Sequence, residues 1–295
     1  MLPPADVPIT DAEFASLRDL VYAQTGISLR DPKRALLKSR LMKRLRHYRY
    51  EHFAQYYDHL KNHDPAGCEL QAMINAVTTN KTSFFREEHH FAFLAERILA
   101  PANRLALQAR QPSLRIWSAG CSSGEEPYSI AITLATNLDR LAAWDVKILA
   151  SDIDTEMLEK ARTGIYSKEA VSALPASAVK RHFLRGTGQY ANCVRVKPLL
   201  RNLVTFARIN LVEPWPFRAK FDAIFCRNVI IYFDHDSQQQ VLERFAQCLK
   251  PEGLFFAGHS ESLFWLDDLF EPVGHTAYRA RPAKSPRNTD RVRPL

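Results

Sequence analysis

The sequence predicts an α/β fold: a doubly wound parallel sheet preceded by an all-α domain and interrupted by a small β-subdomain. Three observations predict it. Residues 10–77 carry helical periodicity throughout, and after Gln111-Pro112 short apolar runs alternate with amphipathic stretches. Residues 164–203 then separate one such stretch from the next apolar run. Alternating runs and amphipathic stretches mark a parallel sheet covered by helices. A helix-to-strand loop normally takes about 2–6 residues, so the long segment reads as an insertion.

The helical part, residues 1–77, opens with Thr10 and Glu13 in capping-box spacing, followed by Phe14, Leu17, Leu20 and Val21 at helix intervals. Gly26 closes that helix. Asp31-Pro32 opens a second by N-cap and first-turn chemistry, with Leu37, Leu41, Leu45 and Tyr48 down one side. Short helices follow at 53–62 and 67–77. A linker, 78–110, leads to the α/β domain, 111–281. Its strands are expected at 114–119, 146–151, 204–209, 221–226 and 254–258, and its helices at 125–138, 155–162 and 236–249. Within the insertion, about 165–203, Gly186-Thr187-Gly188 and the alternation Val194-Arg195-Val196 suggest a hairpin. Residues 282–295 are Pro, Arg, Ser and Asn without period and read as a disordered basic tail.

With 46% apolar and 24% charged residues in 295, the chain has material for two cores, which excludes a mainly disordered protein. Five cysteines (Cys68, Cys121, Cys193, Cys226, Cys248) form no C-x-x-C pair and the ten histidines show no ligand spacing. No disulfide framework and no metal site are therefore expected. No charged leader and no apolar run near about 18 residues is present, so a cytoplasmic location without membrane insertion is expected. The net charge of +8 is local: residues 30–49 carry nine Lys and Arg against one Asp, and residues 279–295 six against one. The remainder is mildly acidic, unlike a protein built to coat nucleic acid.

The first strand runs into Gly120-Cys121-Ser122-Ser123-Gly124-Glu125-Glu126 and then a helix. Two glycines at such a turn let backbone approach a ligand. The pattern is G-x-x-x-G rather than the dinucleotide G-x-G-x-x-G, and Glu125 and Glu126 suit a cationic ligand or ribose hydroxyls better than a pyrophosphate. Asp152 ends the second strand, where doubly wound sheets hold ribose. Asn210 and Leu211 end the third, Arg227 and Asn228 the fourth, all on the crevice side of the sheet. For Asn210 and Asn228, turn or cap chemistry is the competing reading. Cys226 has no histidine partner and reads as a small buried hydrophobe.

Five ordered segments resemble the CheR family: 78–87 (TTNKTSFFRE), 124–129 (GEEPYS), 151–166 (SDIDTEMLEKARTGIY), 221–233 (FDAIFCRNVIIYF) and 249–262 (LKPEGLFFAGHSES). Members of that family are S-adenosylmethionine-dependent methyltransferases acting on glutamates of chemotaxis receptors. The resemblance implies a Rossmann-like methyltransferase domain, S-adenosyl-L-methionine as cofactor and S-adenosyl-L-homocysteine as product. It implies that Asn80, Thr82 and Arg86 contact the cofactor end of the cleft, completed by Gly120, Gly124, Glu125 or Glu126, Asp152, Asn210-Leu211 and Arg227-Asn228. Ser122 stands where other methyltransferases commonly carry glycine. A glutamate with a reference pKa near 4.3 is already ionised at neutral pH, so the reaction needs no general base. Arg86 and Tyr232 are the candidates for holding that carboxylate; a helix-start ion pair with Glu87 or Glu88 is the competing role for Arg86.

In a receptor methyltransferase the basic helix has a use. Arg40, Lys43 and Arg44, with His47, share the face opposite the leucine stripe and would steer an acidic helical substrate; a solvated face is the plain alternative. The insertion resembles the β-subdomain with which some family members capture a receptor C-terminal pentapeptide, here through Gly186, Gly188, Val194 and Val196. A monomer is expected. Two rivals remain: a nucleic-acid methyltransferase, for which residues 228–232 lack the Asn/Asp-Pro-Pro-aromatic run, and a non-catalytic receptor-binding regulator.

Overall fold

The computed structural model describes residues 6–106 and 112–281, so the tail expected at 282–295 lies outside the described residues. Helix α1 (Asp11–Thr25) starts on the capping box: Thr10 Oγ1 accepts the Glu13 N–H at 3.3 Å while the Glu13 carboxylate accepts the Thr10 N–H at 2.9 Å. It stops at Gly26, whose φ of 71° is left-handed. A 3-10 turn (Asp31–Lys33) leads into α2 (Arg34–Tyr48), followed by α3 (Phe53–Asn62) and α4 (Cys68–Val77). Phe14, Leu17, Leu41, Leu45, Phe53 and Met73 close a core of their own among these four helices.

That core contains an acid. Glu69, 3% exposed, accepts hydrogen bonds from Arg44 through both oxygens, and also from Tyr48 and Tyr56. This corrects the docking face expected on α2, because Arg44 is consumed inside the domain. Arg40 is likewise tied, donating to the Val77 carbonyl and to Thr79 Oγ1, and of the three expected docking residues only Lys43 is exposed. Removing one partner of a buried pair strands the other charge. Glu69→Ala is therefore expected to cost about 3 kcal/mol in urea unfolding.

Residues 89–106, within the expected linker, are helical: α5 (His89–Leu94) continues through a π turn (Ala95–Leu99) into α6 (Ala100–Ala106). Phe91, Phe93, Leu94 and Leu99 pack this stretch against one face of the main sheet, which is why it is ordered. Then follow β1 (Ser113–Ala119), α7 (Glu125–Asn137), β2 (Asp145–Asp152), α8 (Thr155–Thr163), β3 (Ile165–Ser167), α9 (Ala176–His182), β4 (Phe183–Arg185), β5 (Cys193–Val196), α10 (Pro198–Arg201) and β6 (Val204–Arg208). The chain ends with β7 (Phe221–Cys226), α11 (His235–Cys248), β8 (Leu249–Ala257), β9 (Phe270–Gly274) and β10 (Ala277–Ala280).

The main sheet has the order β6-β2-β1-β7-β8-β10-β9. Its first five strands are parallel, and β10 and β9 add an antiparallel edge. All five expected strands are present; the added hairpin was missed because Pro272 and Gly274 interrupt its alternation. The chain crosses from the β2 side to the β7 side of β1, making the β1/β7 boundary the switch point where such sheets bind ligands.

The insertion holds a separate antiparallel sheet, β3-β5-β4, including the expected hairpin. Val194 and Val196 lie on its central strand and are buried. Both edges of β5 are already paired, so these two residues cannot receive an added strand. The sheet is rooted at the Gly-rich turn, because the Tyr166 hydroxyl donates to the Ser123 carbonyl at 2.7 Å.

The helical domain reaches the α/β domain through backbone. Ile27 bridges Phe233, the Ser28 N–H donates to the Tyr232 carbonyl at 2.8 Å, and Asn210 Nδ2 donates to the Gln24 carbonyl at 2.8 Å. Tyr22 adds a hydroxyl bond to Asp234.

Candidate active site

The ends of β1, β2, β6 and β7 form the floor of one cleft, residues 77–86 one wall, and the stretch from Thr25 to Arg40 another. Asn80, Thr82, Arg86, Gly120, Glu126, Asp152, Asn210, Leu211, Arg227, Asn228 and Tyr232 all line it, as does Arg40. Gly124, Glu125, Lys43 and Arg44 do not line it, nor do the four residues of the insertion.

Gly124 serves packing: at φ 95° it caps α7, and a Cβ there would stand 2.8 Å from Ala161 Cβ and Tyr166 Oη. Glu125 is buried and accepts from Ser123 Oγ at 2.7 Å. Glu126 is the glutamate facing the cleft. It accepts from Ser118 Oγ at 2.7 Å and lies 3.3 Å from Arg227 Nη1. Burial raises its carboxyl above the usual range, against the opposing pull of Arg227.

Asp152 is held by backbone, its two oxygens accepting the Ser122 N–H at 2.7 Å and the Asp154 N–H at 2.9 Å. Burial pushes its pKa up to about 6 in spite of these bonds. Asp154, unassigned from sequence, is 1% exposed and fastens the wall: Thr78 Oγ1 and Asn80 Nδ2 donate to it at 2.8 and 2.7 Å while it caps α8. The Asn80 side chain is thus committed to Asp154, and its carbonyl accepts from Ser122 Oγ at 3.1 Å. Asn210 spends its side chain on the Gln24 carbonyl, Glu213 and the Val212 N–H, the turn chemistry that competed with a ligand role.

Arg227, its side chain 2% exposed, sits between Glu126 and Glu87 and donates to the Arg86 carbonyl. Arg227 and the N–H of His259 hold the Glu87 carboxyl below its usual range although burial opposes them. Glu87 is therefore not the partner of Arg86. Arg86 donates to the Lys81 carbonyl at 2.9 Å and has no carboxylate within ion-pair distance among the described residues. The Lys33 ammonium lies 5.6 Å from the centre of the Tyr232 ring, a contact the sequence did not reveal.

Glu87, His89 and His90 place three possible ligand atoms within 4.8 Å of one another. The Arg227 guanidinium, 3.4 Å from Glu87 Oε2, opposes a divalent cation there. The cleft suits another kind of cation. Glu126 and Asp152 make its floor acidic, Gly120 lines it at φ 79° with Val229 packed where a side chain would stand, and Asn228 Oδ1 is buried without a partner. A ligand with positive charge, hydroxyls and amino donors fits that set, as S-adenosylmethionine does.

Comparison with known proteins agrees. Residues 12–78 match the family described as CheR methyltransferase, all-alpha domain, and residues 80–279 match CheR methyltransferase, SAM binding domain. The chain is 51% identical over 272 residues to Chemotaxis protein methyltransferase 2 of Pseudomonas aeruginosa, covering 91% of this chain and 93% of that protein. It is 46% identical over 272 residues to the Chemotaxis protein methyltransferase of Escherichia coli, covering 92% and 91%. The corresponding protein of Salmonella typhimurium is 46% identical over 271 residues, covering 92% and 90%. S-adenosylmethionine is the cofactor and S-adenosylhomocysteine the product, and no helix among the described residues is long and apolar enough to cross a membrane. The chain belongs to the CheR family of methyltransferases, enzymes of chemotaxis.

Proposed function

We propose that this enzyme methylates glutamate side chains of chemotaxis receptors, giving glutamate methyl esters. The observation that carries the reading is that the cleft walls present cations and no histidine among the described residues, while its two carboxylates, Glu126 and Asp152, are already engaged by Ser118, Arg227 and backbone N–H groups. Lys33, Arg40, Lys81 and Arg86 line the cleft, whereas no histidine does. The neighbouring thiols of Cys121 and Cys226 are buried and pushed well above their ordinary pKa. Such a site suits a nucleophile that arrives ionised, and a glutamate with a reference pKa near 4.3 does so.

The bound cofactor supplies a methyl group activated by its sulfonium charge. Glu126 and Asp152 would hold the cofactor's polar ends, with Gly120 beside them in the cleft. Arg86, on the 77–86 wall, and Tyr232 orient the substrate carboxylate, and the apolar surfaces of Ile27, Leu29 and Val229 exclude water around it.

Exposed Arg30, Lys43 and Arg49 leave α2 and its flanks basic, which supports docking of an acidic receptor helix. Exposed Leu184 on the outer strand β4 supports addition of a receptor C-terminal peptide there. This reading places the enzyme in the cytoplasm. Radiolabelled S-adenosylmethionine offered with receptor cytoplasmic fragments or RNA tests it. Base-labile label on the receptor fragment is the expected result; label on RNA, or base-stable label, overturns it.

A further inference from the structure

We propose that Glu261 is a positioning residue for methyl transfer, holding the turn after β7 so that Asn228 and Tyr232 face the cleft; this rests on the cleft assigned above. Asn228 has a left-handed φ of 59°, a conformation a non-glycine residue keeps only where its surroundings enforce it. Beyond β7 the backbone N–H groups of this turn lack a strand partner. One side chain supplies the acceptors: Glu261 Oε2 takes the N–H of Asn228 and that of Gly258, each at 2.7 Å, and Oε1 takes that of Ile231 at 3.2 Å. A single carboxylate thereby joins the ends of neighbouring strands β7 and β8.

The arrangement is specific to an acid. Glu261 is 5% exposed, and no Lys or Arg lies within ion-pair distance of it among the described residues, so backbone N–H groups alone satisfy it. A glutamine would turn a donor toward one of those N–H groups. The held turn reaches the reacting region directly. Val229 packs on Gly120, where a Cβ would collide with it, and Tyr232 lies one helical turn further on. Gly258 is packed just as closely: a Cβ there would stand 2.6 Å from Asn228 Nδ2 and 2.8 Å from Glu261 Oε2.

The full-length enzyme tests this as E261Q and as E261D, which keeps the carboxylate but shortens its reach to the three N–H groups. Displacing catalytic groups by about 1 Å costs up to about 100-fold, so kcat per bound S-adenosylmethionine should fall about 10–100-fold in both, with KM for the receptor fragment little changed. The dissociation constant of S-adenosylhomocysteine should rise at least about fivefold through the shift of Asn228. A purely structural role predicts a lower Tm with kcat per bound cofactor and the dissociation constant unchanged in folded protein; that result overturns the proposal. If E261Q does not fold, E261D decides. If wild type labels no receptor fragment, the glutamate reading falls, while S-adenosylhomocysteine binding still decides the role of Glu261.

Discussion

An Asp152→Ala enzyme should bind S-adenosylhomocysteine about 100-fold more weakly than wild type by calorimetry at pH 7.5, a loss of roughly 2–3 kcal/mol for charge-assisted hydrogen bonds to a buried carboxylate. The expectation follows from what Asp152 does at the end of β2. Its oxygens fix the Ser122 and Asp154 N–H groups, so its loss removes the brace of the Gly-rich turn together with the cofactor contact proposed for it. Binding should also depend on pH. With its pKa raised to about 6 by burial, Asp152 is an acceptor above that pH and becomes a donor as pH falls through it. Affinity should therefore fall between pH 7 and pH 5 in wild type, with the Asp152 contribution absent from Asp152→Ala. For folding the sign is opposite. A carboxyl whose folded pKa lies above its unfolded value of about 3.9 favours the folded state when protonated. This contribution is fully present below about 3.9 and is lost as pH rises through about 6. Undiminished affinity in Asp152→Ala would remove the residue from the cofactor site.

Arg86→Ala should lose about 100–1,000-fold in kcat, the scale seen when one preorganised donor is removed from a reacting centre. Its Tm should remain within a few degrees. Arg86 is only partly buried, its protein bond is to a neighbouring carbonyl, and the carboxylate that could have claimed it is held by Arg227. Arg86→Lys should recover part of the rate, since an ammonium keeps the charge without the planar fork. A full-rate Arg86→Ala enzyme would transfer the orienting role to Lys33, Arg40 or Lys81, which also line the cleft.

What the sequence disclosed was local in origin. The capping box at Thr10, the stop at Gly26 and the strand Phe221–Cys226 each follow from a few adjacent residues, and each stands where expected. The cleft residues were legible because strand ends in a doubly wound sheet converge whatever their separation along the chain. Partner choice was not legible. Arg44 and Glu69, Arg227 and Glu87, Asn228 and Glu261 meet only through packing, and a basic helix face reads alike whether its arginines point to solvent or to a buried acid. Glu125 and Glu126 are adjacent, yet only the position of Ser118 and Arg227 decides which of them faces the cleft. The three-residue strand β3 carries too few positions for an alternation to register.

The backbone bonds between the helical domain and the residues around Tyr232 bear on how such an enzyme can be rearranged. Ser28 and Ile27 are hydrogen-bonded and bridged to the segment that carries Tyr232, and Gln24 holds Asn210. The first four helices are therefore no interchangeable cassette that could be swapped for another docking module while the transferase runs unchanged. A chain in which that domain was replaced would have to rebuild one side of its own reaction chamber, so substrate choice and catalysis in this architecture must change together.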